Sequence, residues 1–152
     1  MPSSAHPVAI RGGTVVDSTG ARRADLLVEQ GMVVAVAGEL GDLPRGARVL
    51  DASGCVVAPG LVDLHAHLRE PGFEEAETVE SGARSAALGG YTALVAMPNT
   101  EPAIDCAAVV RQVLALGASS CCDVRPAGAI TVGREGKQLA PLAEMAALGV
   151  HL

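Results

Sequence analysis

Residues 61–98, LVDLHAHLREPGFEEAETVESGARSAALGGYTALVAMP, contain the pattern that decides the fold. The apolar run over 61–68 predicts a strand. The segment over 74–90 has acidic residues in its first turn, where the helix dipole favours them, and it predicts a helix. A second apolar run over 91–98 predicts another strand. Strand, helix and strand in this order are typical of a β–α–β unit with parallel strands.

The same rhythm continues to the end of the sequence. Each predicted helix ends in Leu-Gly, and the repetition predicts three to four βα units of an α/β fold with a parallel sheet. Because closing a barrel takes eight such units, we expect the chain to be a fragment. The further predicted elements are a helix over 104–117, a strand over 119–130, a helix over 137–149 and the start of a fourth strand over 150–152.

The sequence before this pattern is rich in Val and Leu and is interrupted by glycines, which predicts a β-rich segment. Gln30-Gly31 lies between two apolar runs and is typical of a tight hairpin. Residues 51–54 have the composition of a turn, and Pro59-Gly60 interrupts the chain again. We therefore expect two domains, over residues 1–58 and 59–152.

Composition and charge narrow the class of protein. The chain is 49% hydrophobic, which predicts a packed core, and its only aromatic residues are Phe73 and Tyr91, so that core must be aliphatic. The net charge is −6 and the eleven basic residues are scattered, which argues against nucleic-acid binding. No apolar run reaches about 18 residues and the N-terminus lacks a signal-peptide pattern, so we expect a cytoplasmic protein without a membrane span.

Four cysteines lie at positions 55, 106, 121 and 122, without a CxxC motif. This spacing favours neither a zinc knuckle nor a disulfide framework. We expect all four to be small buried apolar residues in a reducing compartment.

Two of the four histidines fall within residues 60–72, GLVDLHAHLREPG. Since side chains alternate along a strand, Asp63, His65, His67 and Arg69 are predicted to share one face. The strand has to end near Pro71, because proline cannot donate to a central ladder. The histidines then lie at the carboxyl end of the strand, where parallel α/β folds carry their active sites.

Two imidazoles at positions i and i+2 can reach one metal ion, and neutral imidazole suits zinc. Asp63 can orient a ligating ring, and Arg69 can bind an anionic substrate with its planar guanidinium. The spacing alone leaves the alternative open that both histidines are held by core hydrogen bonds. His6 and His151 are interpreted as non-ligands, and two ligands alone do not complete a catalytic zinc site.

Longer motifs carry a resemblance to a known family. The stretch DLHAHLREPG (63–72), the stretch ETVESGARSAALGGYTALVAMPNTEP (77–102) and the segment GAITVGREG (128–136) resemble dihydroorotases of the amidohydrolase superfamily. The similarity runs from about Gly12 to Leu152. It implies a (β/α)8 TIM-type barrel of a metal-dependent hydrolase, whose first three to four units lie in 59–152. It also implies that 1–58 is part of a composite β-sandwich domain.

The resemblance also implies roles for individual residues. His65 and His67 match ligands of the more buried metal of a two-zinc centre. His67, Arg69 and Asn99 match residues at the substrate, with Arg69 and Asn99 on its carboxylate. The implied reaction is the reversible cyclisation of N-carbamoyl-L-aspartate to L-dihydroorotate, a step of pyrimidine synthesis.

Other parts of the family's site have no match in this sequence. The bridging ligand, the further histidine ligands and the proton-shuttling aspartate are expected beyond Leu152, so no catalytic residue is assigned here. Lys137, the only lysine, is interpreted as solvated. We therefore expect these 152 residues to be inactive by themselves.

Three alternatives stay open at this point. One is another cyclic amidohydrolase of the allantoinase or hydantoinase type, which shares the His-x-His motif. The second is a non-catalytic partner of aspartate transcarbamoylase, and the third is a free-standing βα binding module. A homo-oligomer and a complex with aspartate transcarbamoylase are both open as assemblies, and the expected ligand is a small molecule.

Overall fold

The computed structural model of the protein describes residues 6–151. The chain divides into two compact units, of which one ends at Pro59 and the other begins at Gly60. Within residues 6–151, no helix is both long and apolar enough to span a membrane.

The first unit is a five-stranded sheet, as its β-rich sequence predicts. Strands β1–β3 form an antiparallel meander, and β4 and β5 pair with β1 in parallel. Gln30 and Gly31 join β2 to β3, and both have a positive φ (51° and 79°), as a tight hairpin turn requires. The predicted hairpin is confirmed. The strands are β1 (Val8–Asp17), β2 (Gly20–Glu29), β3 (Met32–Ala37), β4 (Arg48–Asp51) and β5 (Val56–Val57).

A buried carboxylate stabilises an irregularity in β1. The pairing of β1 with β2 shifts register between Ile10 and Gly13, and Gly12 in this bulge has φ 76°. The Gly12 amide donates to Asp25 Oδ1 at 2.9 Å, and the Leu40 amide donates to Asp25 Oδ2 at 3.2 Å. These two hydrogen bonds hold the pKa of Asp25 below its usual range, and the one from Gly12 has the larger effect. The carboxylate therefore satisfies amides that the sheet ladder leaves out.

Arg11 completes this polar group. Its Nη2 donates to the carbonyl oxygens of Leu40 and Gly41, and its Nε lies 3.8 Å from Asp25 Oδ2. The group ties the bulge in β1 to the segment after β3.

The second unit is a three-stranded parallel sheet in the order β6-β7-β8 with helices at its crossovers. The predicted α/β organisation with a parallel sheet is confirmed for the described residues. Its elements are β6 (Leu61–Ala66), α1 (Val79–Leu88), β7 (Tyr91–Ala96), α2 (Ala107–Gly117), β8 (Asp123–Pro126), a 3-10 turn (Val132–Arg134) and α3 (Leu142–Ala146).

The core of this unit is aliphatic, as the scarcity of aromatic residues predicts. Ile104, Val110 and Val113 are fully buried together with Val79 and Met145. The strands contribute small and branched side chains to the same cluster: Leu94, Ala96 and Val124. β6 lies at one edge of the sheet, and its Leu61, Val62 and Leu64 are exposed.

The prediction for the cysteines is only partly right. All four thiols are free, but only Cys122 is buried; Cys55 and Cys121 are exposed and Cys106 is half-buried. Cys122 Sγ lies 3.3 Å from the carbonyl oxygens of Ala83 and Tyr91, and burial raises the pKa of its thiol. The exposed cysteines fall in turns and loops, where the prediction of apolar burial is wrong.

The first helix begins later than predicted. It starts at Val79, not at residue 74, because Thr78 caps it: Thr78 Oγ1 accepts from the Ser81 amide at 3.1 Å, and Ser81 Oγ accepts from the Thr78 amide at 3.0 Å. Glu70 Oε2 accepts from the Val79 amide at 2.8 Å. The acidic residues over 74–77 therefore precede the helix.

The later elements are also shorter than predicted. α2 begins at Ala107 instead of 104, and β8 covers only four residues of the predicted 119–130. α3 begins only after Pro141, because proline has no amide hydrogen to donate within a helix. Leu139, which is predicted to be helical, instead pairs with Thr131 in an isolated bridge. Residues 150–151 are not in a strand, and Leu152 lies outside the described residues.

Backbone hydrogen bonds join the loops that follow β6 and β7. The Met97 amide donates to the Ala66 carbonyl at 2.9 Å, and the Glu101 amide donates to the Pro71 carbonyl at 3.0 Å. Gly72 lies so close that a Cβ at this position would clash with the Glu101 carbonyl oxygen. Its φ of 101° is also one that side chains disfavour. Glycine at this position therefore permits the two loops to meet.

The loop after β8 is joined to the loop after β7 in the same way. The Ala129 amide donates to the Ile104 carbonyl, and the Gly133 amide donates to Asp105 Oδ2, both at 2.7 Å. The three loops at the carboxyl end of the sheet therefore form one hydrogen-bonded layer.

Replacing Asp25 by Asn tests the polar group of the first unit. Since the folded-state pKa of Asp25 is below its unfolded value, its contribution is present above about pH 4 and is lost as the pH falls through the folded-state pKa. We expect Asp25→Asn to lower the free energy of unfolding at pH 7, and the difference from the unchanged protein to shrink as the pH falls below about 4. This difference in the free energy of unfolding is measured by urea denaturation, monitored by circular dichroism at several pH values between 7 and 3.

Asp42→Asn, at an exposed carboxylate of the same unit, is the matched control, and we expect a change within about 0.5 kcal/mol. A difference for Asp25→Asn that stays constant with pH would contradict the role of the ionised carboxylate.

Replacing Gly72 by Ala tests the contact between the first two loops. A positive φ alone costs a side chain about 1–2 kcal/mol, and at Gly72 the clash with Glu101 adds to it. Gly90 is the matched control, since its φ is 87° and no atom lies near its added Cβ. In the complete polypeptide that carries this sequence, we expect Gly72→Ala to lower the free energy of unfolding by at least about 1 kcal/mol more than Gly90→Ala. Equal losses in urea denaturation would argue against the loop contact.

Candidate active site

The residues predicted for the site lie on β6 or in the loops after β6 and β7. β6 ends at Ala66 and β7 ends at Ala96, so His67 and Arg69 follow one strand and Asn99 follows its neighbour. Because parallel strands end at the same edge of a sheet, these loops lie side by side. This edge is where open α/β folds bind their ligands.

β6 pairs with β7 in an irregular register. Asp63 pairs with Leu94 and Ala66 pairs with Ala96, so two residues of β6 lie opposite the single Val95 of β7. The strand also ends before His67, so the prediction that all four residues lie within one continuous strand is wrong. Asp63, His65 and His67 nevertheless line one pocket.

Asp63 contacts the backbone of His65. Its Oδ1 accepts a hydrogen bond from the His65 amide at 2.9 Å. This contact spans the irregular part of β6 and restrains the residue whose ring is predicted to bind metal. An action of Asp63 on a histidine ring stays a prediction.

The two histidine rings are neighbours in spite of the irregular strand. The ring centroids of His65 and His67 are 5.0 Å apart, and the rings are at 71° to each other. Both residues are exposed in the part of the chain that the structure describes. A ligand role for the pair stays a prediction.

Asn99 is in direct contact with His67. Asn99 Oδ1 and His67 Nδ1 lie 2.8 Å apart. An amide oxygen only accepts, so His67 Nδ1 carries the hydrogen and donates it. The structure thus brings two residues together that come from separate sequence motifs. Arg69 lies in the same loop as His67 and is half-buried, and its carbonyl oxygen accepts a hydrogen bond from the Phe73 amide at 3.0 Å.

The donor set of the two histidines suits a zinc ion. The hydrogen on His67 Nδ1 leaves Nε2 of the neutral ring with its lone pair, which is the form that binds metal. Within residues 6–151 there is no group of three or more His, Cys, Asp or Glu side chains that could hold a metal ion. The described residues therefore fit part of a metal site, since catalytic zinc takes at least three protein ligands.

A pocket of about 410 Å³ lies beside the two histidines. Its lining includes both histidines but also Ser85, Ala86 and Tyr91, and Arg69 and Asn99 are not among the described residues that line it. The pocket is lined mainly by residues of β6 and α1. It therefore holds only two of the four residues predicted to bind metal or substrate, His65 and His67, and not Arg69 or Asn99.

The lysine and the two other histidines of the chain are all exposed. Lys137 is exposed and its Nζ lies 2.9 Å from Glu135 Oε2, in keeping with a solvated lysine. His6 and His151 are both exposed.

Sequence reasoning missed the residues that hold the loops together. Glu70 accepts the first amide of α1, and Asp105 accepts an amide of the loop after β8. Pro71-Gly72 indicates the end of a strand but not the close approach of Gly72 to the neighbouring loop. The place of Glu70 in the Arg-Glu-Pro-Gly motif could have indicated a role for it. Its hydrogen-bond partner, the Val79 amide, becomes clear only once the start of α1 is known.

Comparisons with known proteins agree with these motifs. A family model described as dihydro-orotase-like matches residues 54–152. Dihydroorotases from Streptomyces coelicolor and Solibacter usitatus are 52% and 47% identical to this chain over 137 and 146 residues. These matches cover 90% and 94% of this chain but 31% and 34% of the relatives. The chain spans about one third of the length of the curated relatives it matches.

Solved structures resemble the same part of the chain. The L-hydantoinase (dihydropyrimidinase) from Arthrobacter aurescens has a TM-score of 0.76 at 27% identity, covering 93% of this chain and 30% of that one. A D-hydantoinase has a TM-score of 0.66 at 29% identity, covering 82% and 27%. With the family model matching well over half of its residues, this chain belongs to the dihydro-orotase-like family.

Proposed function

We propose that the complete polypeptide carrying this sequence is a dihydroorotase. It cyclises N-carbamoyl-L-aspartate to L-dihydroorotate and catalyses the reverse hydrolysis, in pyrimidine synthesis. The observation that carries this proposal is the hydrogen bond between His67 and Asn99, 2.8 Å long, which joins the candidate metal motif to the candidate substrate motif. Relatives named dihydroorotase at 45–52% identity support it.

The architecture of the complete enzyme is part of the proposal. The three parallel strands of the second unit are the first strands of a (β/α)8 barrel, and the first unit is part of a composite β-sandwich. The similarity to L-hydantoinase over 93% of this chain supports a common architecture. The further metal ligands and the proton-shuttling aspartate belong to the rest of that barrel.

His65 and His67 would hold zinc, with two ions expected in the complete enzyme. When bound, zinc polarises a carbonyl and supplies a nucleophile from water at neutral pH. The neighbouring rings of His65 and His67, 5.0 Å apart, suit a shared ion. Asp63 holds the backbone of His65 in place through its 2.9 Å hydrogen bond.

Arg69 and Asn99 would bind the carboxylate of the substrate. The Asn99 oxygen is occupied by His67, so its amide Nδ2 is the group that can donate to a carboxylate. The Arg69 guanidinium supplies the charge and a planar pair of donors. Fixing the ring by its carboxylate orients the ring amide that is cleaved, which converts binding energy into rate.

A hydantoinase-type activity is the second candidate, because hydantoinases are among the similar solved structures. Hydantoin and allantoin rings carry no carboxylate, so they would leave Arg69 without an anionic partner. The substrate therefore separates the two candidates.

Turnover by the complete polypeptide tests the proposed function. We expect hydrolysis of dihydroorotate with a kcat/KM at least about 10-fold above that for hydantoin or allantoin, because a hydrogen bond to a charged group contributes about 1.5–3 kcal/mol. Removal of metal with a chelator should abolish this turnover and added zinc should restore it. Preferential turnover of hydantoin or allantoin would refute the assignment, as would full activity after chelation.

Replacing Arg69 by Gln tests the carboxylate contact. We expect kcat/KM for dihydroorotate to fall about 10- to 100-fold, since a hydrogen bond to a charged group contributes about 1.5–3 kcal/mol. Arg84→Gln is the matched control, because Arg84 is exposed on α1 and pairs only with Glu80 of the same helix among the described residues. It should leave the kinetics unchanged. An equal loss for both variants would speak against a specific role for Arg69.

A further inference from the structure

The contact between Asn99 and His67 has a direction. Asn99 Oδ1 is the acceptor and His67 Nδ1 is the donor, at 2.8 Å. A neutral imidazole carries its hydrogen on only one nitrogen. The Asn99 oxygen therefore selects the tautomer of His67 in which Nε2 has the free lone pair.

Asn99 is itself held in place by its neighbours in the loop. Thr100 is 3% exposed and its Oγ1 donates to the Pro102 carbonyl at 2.8 Å. The Pro98 carbonyl accepts the Ile104 amide at 3.3 Å, on the other side of Asn99. The amide group is thus presented from a loop whose backbone is fixed before and after it.

The orientation of the His67 ring is restricted by a second contact. His65 packs against it in an edge-to-face arrangement at 71°. His65 therefore restricts the rotation of the His67 ring. Asn99 determines which ring nitrogen carries the hydrogen.

We propose that Asn99 is a positioning residue for the metal ligand His67 as well as a substrate-binding residue. The two ends of one amide serve two partners, with Oδ1 on His67 and Nδ2 on the substrate carboxylate. This inference rests on the proposed function, because it takes His67 as a ligand. Outer hydrogen bonds of this kind typically change metal affinity by 10- to 100-fold when they are removed.

Two substitutions at this position separate the two roles. Asn99→Asp keeps an acceptor oxygen for His67 but loses the amide donor and adds a charge that repels a carboxylate. Asn99→Ala loses both groups. In the complete polypeptide, we expect Asn99→Ala to weaken zinc affinity by about 10- to 100-fold, and Asn99→Asp to hold it within about 3-fold of the unchanged protein while KM for dihydroorotate rises more than about 10-fold. Zinc affinity is measured by competition with a chromophoric chelator.

A second measurement needs no metal. Long-range proton–nitrogen correlation spectra of the metal-free complete polypeptide, labelled with ¹⁵N-histidine, report the tautomer of each ring. We expect His67 in the Nδ1–H form in the unchanged protein and in Asn99→Asp, and loss of this preference in Asn99→Ala. Arg69→Gln is the control and should alter neither the tautomer nor zinc affinity.

The outcomes distinguish this inference from the proposed function. Unchanged zinc affinity and an unchanged His67 tautomer in Asn99→Ala would overturn the inference, while the proposed function would stand. Failure of the unchanged complete polypeptide to bind zinc would overturn the proposed function itself. Circular dichroism melts of the metal-free variants show that both are folded before affinities are compared.

Discussion

The contact between the loop after β6 and the loop after β7 is the constraint on which the candidate site depends. Two backbone hydrogen bonds and the close approach of Gly72 to Glu101 fix these loops against each other. If the two loops were free, their backbone and side chains would lose conformational entropy on binding a ligand. Because the loops are already ordered against each other in this structure, His67 and Asn99 lie within hydrogen-bond distance before any ligand binds.

The parallel sheet explains why these loops are available at all. A parallel pair of strands requires a crossover, so every strand of the second unit ends at the same edge and each of its loops starts there. The helices in between need only small and branched side chains to pack, which is why a core of Val, Ile, Leu and Ala suffices. The candidate residues His67, Arg69 and Asn99 therefore lie on one rim of the sheet, outside this core.

Much of the fold is predictable from the sequence, and the failures have local causes. The alternation of strands and helices and the turn at Gln30-Gly31 follow from hydrophobic period and turn composition, which are local properties. The predicted start of α1 is wrong because acidic residues before Thr78 resemble a first turn, and only the hydrogen bonds of the cap identify the true start. The predicted α3 is too long because its apolar pattern continues across Pro141.

The candidate site divides in the same way. The types and spacing of His65, His67 and Arg69 are enough to indicate a site at the carboxyl end of a strand. The extra residue in β6 is not predictable, because it depends on how Asp63 and Ala66 pair with β7. The contact of Asn99 with His67 joins two loops that are 32 residues apart in the sequence, so local patterns do not reveal it. Distant pairings decide which predicted residues meet, whereas sequence patterns identify only which residues are suited to a role.

The side of β6 that no described strand pairs with has a consequence for the order of folding. Among the described residues, β6 pairs only with β7, and its Leu61, Val62 and Leu64 are exposed. In the barrel that we propose, a further strand of the complete polypeptide would pair with this side and cover these side chains, because closure leaves no edge. If that strand is synthesised after β6, β6 waits with one side open, and during that interval it could pair with strands of other molecules.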